Sequence, residues 1–578
     1  MSSPSLSTIQ SHADAVGAPL DPLMGAETPL QRLWALLRLH RRELLLILAY
    51  AVAAGVLGLA VPLAVQALVN SIAFTNLMQP VLVLSALLLA ALGLLGVMLA
   101  GQALTVELLQ RRLFIHSAAD LALRLTRVRR EAFDQAHGPE LLNRFFAVFA
   151  LQKAFSELLL DGLAVLLQTL IGLLLMAVYH PLLLQFGLFV VAGLAVLLRF
   201  TSHRATQTAL KESKAKFDMA AWLEELAGHP DLFRSDGAVR LSIERANALA
   251  QDWLLSRQDH WRILFRQLTG LLAFQAVASA LLLGVGGWLV VSRQITLGQL
   301  VASEFVLSAV VTGLVKLAKQ LETYYDALAN VDKLGTLLDL PLERTDGVPL
   351  PPSSAGLAIR LSALRLSRGD ALVLQHADVG LVPGARMGIT GATGAGLGVL
   401  GELLAGLREP AAGALEFDGH DMRDLDVRSV RGAVALVRPD GVFAGSVLEN
   451  LRVGRQDIEL SHLRTTLQAV GLWETIQELP DGLGTPLATS GAPLSAGEAA
   501  RLLVARAIAG GPRLIVVEEV LDILDGEARQ LALDALMEPR APWTLVVLSR
   551  HEAVLARLPI VYRLDQGLLV RLGPGRHA

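Results

Sequence analysis

Gly391, Gly394 and Gly396 sit at the spacing of a loop that wraps phosphate, in the stretch GITGATGAGLGVLGELLAG. Such a loop leaves a strand and opens a helix. Its backbone N–H groups and the helix N-terminus meet phosphate oxygens, a lysine neutralises the outer phosphates, and a Ser or Thr hydroxyl binds Mg²⁺. The positions that would hold the lysine and the hydroxyl are Leu397 and Gly398. Leucine brings no charge and glycine no metal ligand, so the cradle is kept without its chemistry. Taken alone, the stretch also fits an ordinary glycine-rich strand-to-helix turn. About one hundred residues later, Ser495 opens a helix-like run, and a hydroxyl at a helix N-terminus is a good phosphate ligand.

The elements that must hold these residues fall into two halves. After residue 355 short β-branched runs (ARMGIT, GAVALV, RLIVVEE, TLVVLS) alternate with helical stretches, the pattern of a soluble α/β domain with a mostly parallel sheet. The proline-rich stretch before it reads as a linker, placed over 321–355. Upstream, six long apolar runs are expected to span a bilayer, at 44–68, 80–104, 158–178, 182–200, 268–291 and 297–317, since a span needs roughly 20 apolar residues. The chain is 53% hydrophobic, with a mean hydropathy of +0.51. The two long connections between spans carry Arg124, Arg127, Arg129, Arg130, Lys211 and Lys214, whereas the short ones carry Arg293. That bias places the long loops and both termini in the cytoplasm of a multi-pass inner (plasma) membrane protein. Residues 28–43 read as a basic amphipathic helix along the membrane surface, and 1–27 as a flexible leader. A net charge of −3 gives no sign of a nucleic-acid partner. The absence of cysteine excludes disulfides, thiol catalysis and thiolate-bound metal, and no metal site is expected.

PLSAGEAARLLVARAIAGGPRLIVVEEVLDILD, over 493–525, closely resembles the signature-to-D-loop segment of ABC transporter nucleotide-binding domains. With six spans ahead of it, the chain over roughly 30–575 resembles an exporter-type half-transporter: an α-helical six-span transmembrane domain (44–320) followed by an α/β P-loop-type ABC domain (356–574). The resemblance makes Ser495, Gly497 and Glu498 the signature and Asp525 the D-loop residue. It puts Glu518 at the Mg²⁺-directing position and Glu519 at the catalytic base. Arg438 replaces the Q-loop glutamine, Arg550 stands at the switch histidine with His551 one place late, and Leu366 takes the adenine-stacking position. Phe133 to Phe155 and Ala220 to Ala238 resemble the two intracellular loops of exporters, and ITLGQLVAS resembles exporters of bacteriocins and other polypeptides. No peptidase domain precedes the spans, so leader cleavage is not expected.

Phosphoryl transfer rests on charge and metal positioned around the γ-phosphate, so losing lysine, hydroxyl, aspartate, glutamine and aligned histidine together should leave this Walker face inactive, with weak or no nucleotide. In the family, each ATP lies between one domain's Walker motifs and the other's signature. The expected arrangement is therefore a heterodimer with a second ABC half-transporter that has intact Walker motifs, ATP and Mg²⁺ sitting at the composite site against Ser495 and Gly497. The lipid bilayer is the other partner, with room for a periplasmic adaptor protein. Two alternatives remain open: a non-transporting membrane scaffold or regulator, and an active homodimer using Glu518 and Glu519 in an unusual metal geometry. Glu304 and Lys316 are charges inside the last span and hence candidates for substrate contact.

Overall fold

A computed structural model describes residues 28–74, 78–134, 144–201, 205–369 and 371–572. The expected leader over 1–27, part of the first long loop over 135–143, and residues 573–574 lie outside them. The chain divides into two compact units.

The first unit is helical: α1 (Pro29–Leu39), α2 (Arg41–Gly58), α3 (Ala60–Phe74), α4 (Gln79–Leu125), α5 (Ala147–Glu157), α6 (Leu163–Tyr179), α7 (Pro181–Thr201), α8 (Ala205–Gly228), α9 (Asp236–Val291) and α10 (Leu297–Leu338). Among the described residues, four helical stretches are long and apolar enough to cross a membrane: Arg41–Ser71, Gln79–Leu125, Arg144–Tyr179 and Asp236–Val291. Pro181–Leu197 and Leu297–Val310 are shorter apolar helices. All six apolar runs of the sequence are thus helical. Their outward faces carry Leu82, Leu87, Leu89, Leu170 and Leu174 in the open, which is costly in water and suits lipid. The first run is broken at Leu59, because Pro62 has no N–H to give the carbonyl of Gly58. The last helix runs on to Leu338, so the first part of the expected 321–355 linker is helical instead; Thr296 and Gln299 cap its start reciprocally, and no proline interrupts it. Glu304 is half-buried, with one carboxylate oxygen lacking a hydrogen-bond partner, and Lys316 is exposed.

The second unit contains two large sheets and a two-stranded one. Strands β1 (Ile359–Arg368), β2 (Ala371–Leu374), β3 (Val379–Leu381), β4 (Arg386–Gly391), β5 (Ala412–Phe417), β6 (His420–Asp421), β7 (Val434–Val437), β8 (Gly445–Ser446), β9 (Pro486–Leu487), β10 (Leu514–Glu518), β11 (Thr544–Leu548), β12 (Ile560–Asp565) and β13 (Leu568–Arg571) alternate with helices. The main sheet runs β13-β12-β4-β11-β10-β7, parallel except at β13. Its central strands are buried on both faces, as their uninterrupted apolar runs require. An antiparallel sheet runs β2-β1-β5-β6, with β3 also paired to β1. The helices α11 (Leu397–Leu404), α12 (Val427–Ala433), α13 (Val447–Arg452), α14 (Leu460–Ala469), α15 (Trp473–Glu478), α16 (Ala496–Ala509), α17 (Val520–Ile523), α18 (Gly526–Leu536) and α19 (Glu552–Leu555) complete it. Residues 127–134 belong to this second unit, although the helices before and after them in the chain belong to the first.

Candidate active site

The loop after β4 turns on two glycines that a side chain would strain. Gly394 has φ +82° and Gly396 φ +97°, and a Cβ on Gly396 would lie 2.2 Å from Val373. The loop delivers the chain into α11, forming one wall of a cleft of about 500 Å³. Gly394, Gly396, Leu397, Gly398, Arg438, Glu518, Glu519 and Arg550 all line it, so residues as far apart in the sequence as Gly394 and Arg550 meet there because β4, β7, β10 and β11 end on one edge of a parallel sheet.

Three of the cleft's carboxylates, Glu402, Glu518 and Glu519, are already paired with arginines. Arg438 donates from Nε to Glu518 (2.6 Å), from Nη1 to Glu402 (2.9 Å) and from Nη2 to the Gly398 carbonyl (3.0 Å). Burial disfavours the charged guanidinium, but Glu518 and Glu402 outweigh it and its pKa is raised. Glu402 accepts in addition from Arg130 (2.9 Å) and Arg408. Burial pushes its pKa up, and the three arginines pull it below the usual carboxylate range. Arg408 grips Asp134 with two 2.7 Å hydrogen bonds, which hold that carboxyl low, and Arg368 lies 3.3 Å from the same group. On the other side Arg550 pairs with Glu519 and donates to Thr393 (2.7 Å). Glu519 has φ +55°, a left-handed backbone unusual for a side-chain-bearing residue.

Leu397 turns away from lysine-like duty: it is 6% exposed and belongs to the core between the sheets. A Cβ on Gly398 would meet Glu518 Oε1 at 2.5 Å, so a hydroxyl there requires Glu518 to shift from its place beside Arg438.

The signature lies outside this cleft. Ser495 is exposed and caps α16, and its hydroxyl and backbone N–H both donate to Glu498 (2.8 and 2.7 Å). That bonding lowers the Glu498 pKa. Gly497 follows, with nothing near its missing Cβ. Asp525 is also exposed and caps α18 through Ala528 N–H (2.9 Å).

Two expectations shift. Leu366 does not offer a face to a base: it is 1% exposed in the core, because it keeps the inward register of β1 ahead of a slip between Leu366 and Ser367. Arg368, beyond the slip, lines the cleft instead. His551 is turned from the cleft by capping α19, accepting from Ala553 N–H (3.3 Å), so Arg550 alone of the pair reaches it. Sequence reading missed Thr393, Glu402, Arg408, Asp134 and Asp522. Asp522 accepts from Ser549 Oγ and Arg550 N–H and so holds the switch segment. No spacing links these residues; only their charge pairing in three dimensions reveals them.

Residues 374–522 match the family described as ABC transporter. The chain is 29% identical over 420 residues, 71% of each chain, to the mycobactin import ATP-binding/permease protein IrtB of Mycolicibacterium smegmatis. It is 29% identical over 304 residues, 52% of each chain, to the ATP-dependent lipid A-core flippase of Thiobacillus denitrificans. In fold it matches a bacterial Atm1-family ABC exporter solved with ATP bound, with a TM-score of 0.81 and 19% identity over 92% of this chain and 94% of that one. The paired sheets, the cradle at the end of β4, the capped helix after Ser495 and these likenesses agree: the chain carries an ABC transporter domain, fused behind an N-terminal domain of apolar helices in the fold of an Atm1-family exporter.

Proposed function

We propose that this chain is the non-hydrolysing half of an ATP-driven heterodimeric exporter. Its own Walker face takes nucleotide weakly or not at all. Its Ser495 and Gly497 complete the ATP site of a partner chain that supplies the lysine, the metal ligands and the base. The observation that carries this reading is the contrast between its two faces. On the Walker face, Leu397 and Gly398 offer neither charge nor metal ligand, and both Glu518 and Glu519 are tied to arginines. On the other face, Ser495 is exposed at the start of the fourteen-residue helix α16, whose N-terminal dipole favours an anion and whose Ser495 hydroxyl now donates to Glu498. A homodimer would combine two such Walker faces and hydrolyse nothing.

Glu518, Glu519 and Arg438 are vestiges of the catalytic positions on this reading, and ATP and Mg²⁺ belong to the composite site. The chain sits in the inner membrane with both termini cytoplasmic, and outward transport follows from the exporter-type fold. The likeness to a protein named for mycobactin import favours the opposite direction as a second reading; accumulation of substrate inside inverted vesicles decides between them.

The test is ATPase activity in the native complex. Ser495→Ala should abolish it, and so should Ser495→Asp, which keeps α16 capped but repels phosphate. If the complex keeps full activity with both substitutions, the signature does no work and the scaffold reading takes over. Mg²⁺-dependent ATPase in the chain purified alone would establish the active homodimer instead.

A further inference from the structure

Arg438 fills the space that the vanished chemistry of the cleft would have used. Its three guanidinium nitrogens each have an acceptor: Glu518 at the end of β10, Glu402 in α11 and the Gly398 carbonyl at the start of α11. The missing side chain of Gly398 is a condition of this arrangement, since any Cβ there would press on Glu518 at 2.5 Å and approach Arg438 Nη2 at 3.5 Å. The pairing does not stop there. Glu402, whose side chain is 5% exposed, passes the contact to Arg408, 2% exposed, and Arg408 to Asp134. Asp134–Arg408–Glu402–Arg438–Glu518 is one unbroken chain of ion pairs, from residues 127–134 through the phosphate-loop helix to the central sheet.

We propose that Arg438 is a built-in occupant of the Walker cleft, a fixed cation doing the structural work that a bound metal–phosphate pair does where one is present. The ion-pair chain then holds residues 127–134, α11 and β10 in one arrangement whether or not nucleotide is available. Mg²⁺ finds the carboxylates at the two catalytic positions already taken, Glu518 by Arg438 and Glu519 by Arg550, which leaves the exposed Asp440 at the rim of the cleft. This deepens the reading of the Walker face as inactive and rests on it, but says nothing of Ser495 or of a partner. It makes the half insensitive to ATP by construction rather than by mere loss of affinity.

Amide hydrogen exchange on the full chain in lipid nanodiscs, without a partner, tests it. Residues 128–134 and 397–404 of the wild type should be protected without nucleotide, and saturating Mg·ATP should leave their exchange unchanged. Arg438→Gln should speed exchange at 128–134 by at least about tenfold, since the buried Glu402 and the part-buried Glu518 lose their shared cation. Arg438→Lys, with charge but no fork, should fall between. Mg·ATP slowing exchange in the wild type, or Arg438→Gln leaving 128–134 as protected as before, would overturn the proposal. If Arg438→Gln does not fold, the wild-type comparison with and without Mg·ATP still decides, and Asp134→Asn supplies the second variant, expected to release 128–134 while sparing 397–404. Failure here leaves the ATPase of the complex untouched, so it is separable from failure of the trans-signature reading.

Discussion

At the scale of single residues, the lost chemistry and the space for it have gone together. Gly398→Ser would return the metal hydroxyl by name, yet its Cβ would collide with Glu518. The expected outcome is no gain in ATPase and a loss of about 1–3 kcal/mol of stability, read as a lower melting temperature of the full chain. Glu498 makes a second case. It holds the Ser495 hydroxyl, so a phosphate arriving from a partner must compete with a carboxylate and also face its charge. Glu498→Gln keeps the capping geometry and removes the charge. In the assembled complex it should lower the KM for ATP about fivefold, the equivalent of about 1 kcal/mol at a partly solvated site; an unchanged KM would show that Glu498 stays clear of the phosphate.

At the scale of elements, α11 and the stretch around residue 134 are fastened by charge rather than by apolar area alone. Arg408→Ala would leave Glu402 with Arg130 and Arg438 and Asp134 with Arg368, and should cost about 1–3 kcal/mol in denaturant unfolding of the full chain. Arg408→Lys should recover only part of that, because lysine cannot fork across two carboxylate oxygens. The sign of the pH dependence follows from the carboxyl groups. Asp134 and Glu402 both have pKa values below their ordinary ones, so their contribution is complete above the ordinary carboxylate range and is lost as pH falls through the lowered values. Stability measured at pH 6 and pH 8 should therefore match as far as these groups are concerned, with loss only below about pH 4. A transition near neutrality that vanishes in Asp134→Asn would contradict this assignment.

At the scale of the whole molecule, the helical unit offers apolar faces to lipid, and the second unit offers the capped start of α16 and a cleft whose Glu518 and Glu519 are tied to arginines. A chain of this kind works by what it lends. Purified alone, it should show no Mg²⁺-dependent ATPase above background, and its melting temperature should not rise with millimolar Mg·ATP. A ligand bound at one hundred times its Kd would add about 2.7 kcal/mol, a readily visible shift. A clear rise would mean that the cleft accepts nucleotide despite its arginines.

The sequence by itself determined the two halves, the six apolar helices, the strand-to-helix cradle and the capped start of α16, because each is written in local periodicity, glycine placement or a serine three residues before a glutamate. It also told that Lys and Ser were missing at 397 and 398. What replaced them was decided only by tertiary structure. Arg438 reads locally as a failed Q-loop, and Glu402, Arg408 and Asp134 as ordinary surface charges. Their partners lie up to 274 positions away, and only the order of strands in the sheet and the docking of residues 127–134 bring those charges within 3 Å of one another. Leu366 makes the same point in reverse. A strand's period puts Leu366 and Arg368 on the same face of β1, but that Leu366 is covered by the core while Arg368, at the strand's end, stands open beside the cleft depends on what packs against each.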